Sequence, residues 1–254
     1  MTEAKLHILV VDDDRRMAKT LVNIFQIKGY EVESAHSGPE ALEKVSRGRF
    51  DCVLTDIKMP EMNGVELYRA IKARQPDLTV VLMTAYSTDR LVNEGLEEGA
   101  VAVLTKPLDI NTLLSFFSSL GQERSIVIVD DDPKFARTLG DILRARGFAV
   151  TQITDPHDVV ERVRPNGQTV LLDMKLNDIG GLEVLEEIRA QHPCLPVVLV
   201  TGYRQEMAPA IEAALKIGAY TCLYKPFQIE ELSQLLAEIR RQELGRILGA
   251  SPVK

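Results

Sequence analysis

Residues 6–14, LHILVVDDD, set an apolar run directly against three aspartates, and residues 125–132, SIVIVDDD, do so again. The same sparse set of chemical groups follows each run. After the first come Asp56, Thr84 and Lys106-Pro107; after the second come Asp173, Thr201 and Lys225-Pro226. Asp12 and Asp130 lie 118 positions apart, Asp56 and Asp173 117, Thr84 and Thr201 117, and Lys106 and Lys225 119. An internal repeat of this length marks two homologous domains. The domains expected are 1–121 and 122–240, with 241–254 as a C-terminal helical extension.

Outward from the first run, short β-rich segments alternate with longer amphipathic ones. Strands are expected at 6–11, 31–35, 52–55, 79–83 and 101–104, and helices near 14–28, 38–48, 64–74, 88–98 and 109–120. Ser37-Gly38-Pro39 and Asp109 signal helix starts, and Gly29 a stop. Strands alternating with helices predict an α/β fold, with a parallel sheet covered on both faces. The second half repeats the pattern, with strands at 125–129, 149–153, 169–172, 197–200 and 220–223. Glycines recur in register as well: Gly29 with Gly147, Gly64 with Gly181, Gly99 with Gly218. The last helix is longer than its counterpart. Past its core stripe, Leu244, Ile247 and Leu248 continue the apolar pattern, and an apolar stripe beyond the domain boundary needs a partner. The extension reads either as a frayed amphipathic tail or as a dimerisation or output helix.

Composition narrows the function. Of 254 residues, 45% are hydrophobic and 26% charged, as in ordinary globular proteins. The net charge is −7, and residues 1–121 carry 14 basic against 18 acidic side chains. Neither half has the basic excess that phosphate-backbone binding requires, so no nucleic-acid partner is expected. The first run is too short for a signal-peptide core or a membrane span, so a cytoplasmic protein with no membrane partner is expected. Cys52, Cys194 and Cys222 show no paired spacing, which reads as thiols in a reducing compartment.

In an open parallel sheet, sites form at the carboxyl ends of strands, where the strand order reverses. With order 2-1-3-4-5, the strands before Asp12 and Asp56 are neighbours at that point. Asp12, Asp13 and Asp56 therefore converge, with Thr84 and Lys106 on the same rim. Three carboxylates repel one another, and an oxygen-only donor set suits Mg²⁺ better than zinc. A lysine adds a compact charge for a phosphoryl oxygen, and a threonine adds a hydroxyl. The set suits a phosphoryl group held on a carboxylate, with Asp56 as nucleophile. Asp14 and Asp132 also read as helix N-caps.

The segments ILVVDDD, LTDIKMPEMNG, VLMTAYS and GAVAVLTKPL resemble a response-regulator receiver domain, and so do IVIVDDD, LLDMKLNDIGG, VLVTGY and GAYTCLYKPF. The resemblance spans residues 5–120 and 125–238. It implies two flavodoxin-like (βα)5 domains, each with sheet order 2-1-3-4-5. It also implies phosphoryl transfer from a partner phosphohistidine. By position, Asp56 and Asp173 are the phospho-acceptors. Asp12, Asp13, Asp130 and Asp131 are the metal-binding acids, and the backbone carbonyls of Lys58 and Lys175 complete Mg²⁺ coordination. Thr84 and Thr201 are the switch hydroxyls, Lys106 and Lys225 the phosphoryl-binding lysines, and the bonds to Pro107 and Pro226 are cis.

The sequence departs from the family at the aromatic switch position, where it has Val103 and Cys222. Tyr86 and Tyr203 are candidates to stand in for the missing rings. Asn177 replaces the proline found at Pro60, and the segment from Thr201 to Lys225 is two residues longer and contains Pro209, so the fourth helices should differ. Lysine and tyrosine flanking both acceptors predict slow self-dephosphorylation.

The expected function is a two-component phosphorelay protein that changes partner affinity, without a DNA-binding output domain and not itself an enzyme. A histidine kinase or phosphotransfer domain and an unidentified downstream protein are its expected partners, and the dimerisation reading of the last helix adds a second copy of the chain. The alternatives are the receiver portion of a hybrid histidine kinase and an unphosphorylated receiver-like adaptor. A haloacid-dehalogenase-like hydrolase, suggested by the spacing of Asp12 and Asp14, leaves the duplicated set unexplained.

Overall fold

Strand β1 (His7–Val11) accounts for the layering of the first half. Side chains alternate across a strand, yet Ile8, Leu9, Val10 and Val11 are all fully buried. Leu9 and Val11 enter one hydrophobic cluster, Ile8 and Val10 another. A strand buried on both faces belongs to a parallel sheet sandwiched by helices. The computed structural model, which describes residues 5–85, 90–164, 167–177 and 179–249, has this arrangement twice.

The chain divides into two units, one of residues 1–121 with 241–254, the other of residues 122–240. In the first, β1 is followed by β2 (Glu31–Ala35), β3 (Cys52–Asp56), β4 (Thr79–Thr84) and β5 (Val103–Thr105), in sheet order β2-β1-β3-β4-β5. In the second, β6 (Ser125–Val129), β7 (Ala149–Ile153), β8 (Gln168–Asp173), β9 (Val197–Thr201) and β10 (Thr221–Tyr224) follow the order β7-β6-β8-β9-β10. All paired strands are parallel. Both units are thus α/β with the strand order 2-1-3-4-5.

Local chemistry starts and stops the helices. Asp14 accepts from the backbone N–H groups of Arg16 and Met17 and caps α1 (Arg15–Ile27); Asp132 does the same for α6 (Pro133–Ala145) with Lys134 and Phe135. Ser37 caps α2 (Gly38–Arg47), Asn63 opens α3 (Gly64–Lys72) in a capping box with Glu66, and Asp109 caps α5 (Ile110–Leu120). After α1, Gly29 adopts φ +97°, a left-handed conformation that ends the helix cheaply only at glycine. Helix α4 (Arg90–Glu97) follows β4, while residues 86–89, including Tyr86 and the start expected for this helix, lie outside the described residues.

The second unit is not a copy. The counterpart of α2 shrinks to a 3-10 turn at Pro156–Asp158 and one helical turn, α7 (Val159–Arg162). Val163 is already extended, and Pro165 in the sequence bars its predecessor from helical geometry. Helix α8 (Gly181–Gln191) matches α3, and α9 (Ala208–Lys216) starts with a proline in its first turn.

Helix α10 (Ile229–Ile247) carries the helical pattern to one residue short of Leu248. Its stripe divides: Leu232, Leu236 and Ile239 enter a core cluster of the second unit, whereas Leu244 and Leu248 enter the cluster of the first that holds Phe116 and Phe117. Leu244 is 3% and Leu248 7% exposed, so neither a frayed tail nor a free output stripe describes these residues.

Candidate phosphoryl-acceptor sites

Strand register brings the repeated residues together. Val11 pairs with Thr55, so the next residues, Asp12 and Asp56, leave adjacent strands side by side. Asp56 pairs with Met83 and Thr84 with Thr105, which puts Thr84 and Lys106 one step further along the same rim. In the second unit Val129 pairs with Leu172, Asp173 with Val200 and Thr201 with Tyr224, giving the same order.

In the first site the Lys106 ammonium lies 2.7 Å from Asp12 Oδ2 and 2.5 Å from Asp56 Oδ1. The Lys58 backbone N–H donates to Asp56 Oδ2 at 2.8 Å, and the Asp14 N–H to Asp12 Oδ1 at 2.9 Å. Asp12, Asp56 and Thr84 are buried. In the second site Lys225 Nζ donates to Asp130 Oδ2 and Asp173 Oδ2, each at 2.7 Å, the Lys175 N–H donates to Asp173 Oδ1 at 3.0 Å, and the Tyr203 N–H to Thr201 Oγ1 at 3.1 Å. The Lys106–Pro107 and Lys225–Pro226 bonds are cis.

Each site therefore shares one ammonium between two buried carboxylates. Burial raises the Asp56 carboxyl above the usual range; the Lys106 bond opposes this and the Asp12 charge adds to it. Burial likewise raises Asp130, against the opposing bond from Lys225. For both lysines burial acts to lower the ammonium, but the paired carboxylates outweigh it and hold the charge more tightly than usual.

The third acid differs. Asp130, Asp131 and Asp173 each offer a carboxylate oxygen within 4.8 Å of the others, the only such trio among the described residues. Asp131 is half-buried, whereas Asp13 is exposed. An all-oxygen trio is the donor chemistry of a hard divalent cation, so the second site fits Mg²⁺ as it stands. The third aspartate of each triplet, Asp14 or Asp132, is occupied as a helix cap.

Two glycines set the approach of the acceptor strand. A Cβ on Gly64 would lie 2.3 Å from the Asp56 carbonyl oxygen, and one on Gly181 2.4 Å from that of Asp173. Each glycine stands eight residues after its acceptor, a spacing readable in the sequence, although its steric meaning is not. Sequence reasoning missed other neighbours. His36 Nδ1 lies 3.2 Å from the Asp12 carbonyl, Lys175 pairs with Glu206 at 3.1 Å, and the Phe135 ring centroid is 4.0 Å from Lys225 Nζ. Lys175 Nζ also sits 3.9 Å from the Tyr203 ring centroid, so the two residues expected to flank Asp173 stack on each other.

The model of the response regulator receiver domain matches residues 8–117 and again 126–237. A response regulator receiver protein of Anaeromyxobacter sp. (strain Fw109-5) is 32% identical over 235 residues, covering 92% of this chain and 95% of that one. The transcriptional regulatory protein ZraR of Escherichia coli (strain K12) is 43% identical over 113 residues, 44% of this chain and 26% of ZraR. Among solved structures, the chemotaxis protein CheY4 of Vibrio cholerae is 32% identical, with a TM-score of 0.43, covering 46% of this chain and 99% of its own. With the family model matched over most of its length, the chain belongs to the response regulator receiver domain family and carries that domain twice in tandem.

Proposed function

We propose that this chain is a phosphorelay protein of a two-component system, in which Asp56 and Asp173 accept phosphoryl groups from a phosphohistidine on a kinase or phosphotransfer partner. The observation that supports this best is the shared lysine: in each domain one ammonium bridges the acceptor and a second buried aspartate. An acceptor oxygen attacks phosphorus, the P–N bond breaks, and the imidazole leaves with its bonding pair. The acceptor carboxylate becomes an acyl phosphate, whose three outer oxygens share two negative charges that need neutralising beside the remaining buried aspartate. Lys106 and Lys225 stand within reach, and Thr84 and Thr201 end the neighbouring strand on the same rim. Asp130, Asp131, Asp173 and the Lys175 carbonyl would hold Mg²⁺ in the second domain; Asp12, Asp13, Asp56 and the Lys58 carbonyl would hold it in the first once the exposed Asp13 turns inward. Bound Mg²⁺ supplies positive charge against the phosphoryl oxygens.

In this reading the chain is the substrate and carrier of the transfer rather than a turnover enzyme, and phosphorylation changes its affinity for a partner protein. A cytoplasmic location accords with that role, and among the described residues no helix is long and apolar enough to cross a membrane. Intact-mass measurement after incubation with Mg²⁺ and a small phosphoryl donor tests the reading. Two additions are expected, falling to one in Asp56→Asn and to one in Asp173→Asn. No addition under any condition would overturn it in favour of an unphosphorylated binding module.

A further inference from the structure

The two sites differ in how the lysine is held. Lys225 spends two of its three N–H donors on Asp130 and Asp173. The Phe135 ring closes a further side of the ammonium, with its centroid 4.0 Å from Nζ. That ring is itself located by Phe227, at 6.3 Å between centroids and an interplanar angle of 85°, an edge-to-face contact. Both rings are partly buried against the cluster that includes Leu139, Leu143 and Leu232. At the matching places the first domain has Met17 and Leu108, and among the described residues no ring takes up this position on Lys106.

We infer that Phe135 is a positioning residue for Lys225, holding the ammonium turned into the cleft. An ammonium with an open side is drawn toward solvent water. A ring face offers attraction there without a hydrogen-bond partner that could lead the lysine outward. When a phosphoryl group reaches Asp173, the lysine must move from carboxylate to phosphoryl oxygens without leaving the site. Phe135 keeps the ammonium among the inward partners during that exchange, and this rests on Asp173 being a phospho-acceptor.

The test uses the full chain in an Asp56→Asn background, so that only Asp173 takes label, with phosphoramidate and Mg²⁺. In the reaction the new bond joins phosphorus to an Asp173 oxygen, and ammonia leaves with the electrons of the P–N bond. Phe135→Met, which copies the first domain, should slow labelling about threefold to tenfold, the range that a partly desolvated cation–π contact supplies. Phe135→Tyr, which keeps the ring, should restore most of the rate. Independently of labelling, the Lys225 side-chain protons should resonate upfield through the ring current in the parent and Phe135→Tyr, and lose that shift in Phe135→Met.

A Phe135→Met rate within twofold of the parent, or an unchanged Lys225 resonance, overturns the inference. So does an equal loss of rate when Phe135→Met is made in a Lys225→Met background, because the ring would then act without the lysine. If the Asp56→Asn parent takes no label while the upfield shift is present, the acceptor reading itself falls, and the role given to Phe135 falls with it.

Discussion

Replacing Gly64 with alanine probes the acceptor strand without touching a charged group. The added Cβ would stand 2.3 Å from the Asp56 carbonyl oxygen and 2.9 Å from the Ile57 Cα, both backbone atoms. Real Cβ contacts stay beyond 3.0 Å, so the α3 N-terminus and the β3 end must part by at least 0.7 Å. Neither side can turn aside as a flexible side chain would. The Gly64 N–H donates to the Ile57 carbonyl at 2.9 Å, and the Ile57 N–H to the Met83 carbonyl at 2.8 Å, so the movement loads bonds that fix Asp56 beside β4. Overpacking of this kind costs about 1–3 kcal/mol, which for a domain of this size lowers the melting temperature by about 5–15 °C. A reacting group misplaced by approaching 1 Å slows its reaction by about tenfold to a hundredfold. Calorimetry of the first domain's transition measures one arm, and initial labelling of Asp56 in an Asp173→Asn background measures the other. Gly181→Ala, at 2.4 Å from the Asp173 carbonyl, should act alike on Asp173. A Gly64→Ala protein that melts within 2 °C of the parent and labels within twofold would refute the steric argument; these thresholds sit well below the expected effects.

Leu244→Ala should destabilise the first unit by about 2–4 kcal/mol, the usual cost of a cavity at a buried leucine, because this side chain is 3% exposed and sits in the cluster with Phe116 and Phe117. Hydrogen exchange over β1 and α5 measures it, and unchanged protection there would contradict the packing. The acceptor also makes stability depend on pH. Burial raises the Asp56 carboxyl, so the fold prefers its neutral form. Its charged form then costs stability above the raised folded value, and that cost disappears as pH falls below the ordinary aspartate value of about 3.9. Asp56→Asn should therefore melt above the parent at neutral pH in chelator-treated buffer, and the gap should close on acidification. A lower melting temperature for the variant at neutral pH would count against this.

The sheet and the site were legible in the sequence for one reason. Strand ends carry the chemistry, and a parallel register converts strand order into proximity. Once β1 and β3 are neighbours, Asp12 and Asp56 meet, although they lie 44 positions apart in sequence. Features set by side-chain rotation or by a distant cover stayed hidden. Nothing local distinguishes the exposed Asp13 from the half-buried Asp131. The apolar spacing of Leu244 and Leu248 announces that they need a cover but cannot name Phe116 and Phe117 as neighbours. The loss of most of one helix in the second unit could have been anticipated, since Pro156 and Pro165 bracket a segment too short for more than a turn or two. Phe135 reads as one more core residue of α6 until its distance to Lys225 is known.

The aspartate triplets make one point about inheritance. Asp12 faces a lysine, Asp13 is exposed, and Asp14 starts a helix, and the three are spelled with the same letter. A gene that loses any one of the three codons encodes the same shortened protein. Two aspartates then remain for three posts, and Arg15, a side chain with no acceptor to offer backbone N–H groups, moves up to the helix start. A scan that scores positions by residue type would see a nearly intact acidic motif. The damage would show as a frayed α1, because the vacancy always falls at the end of the queue.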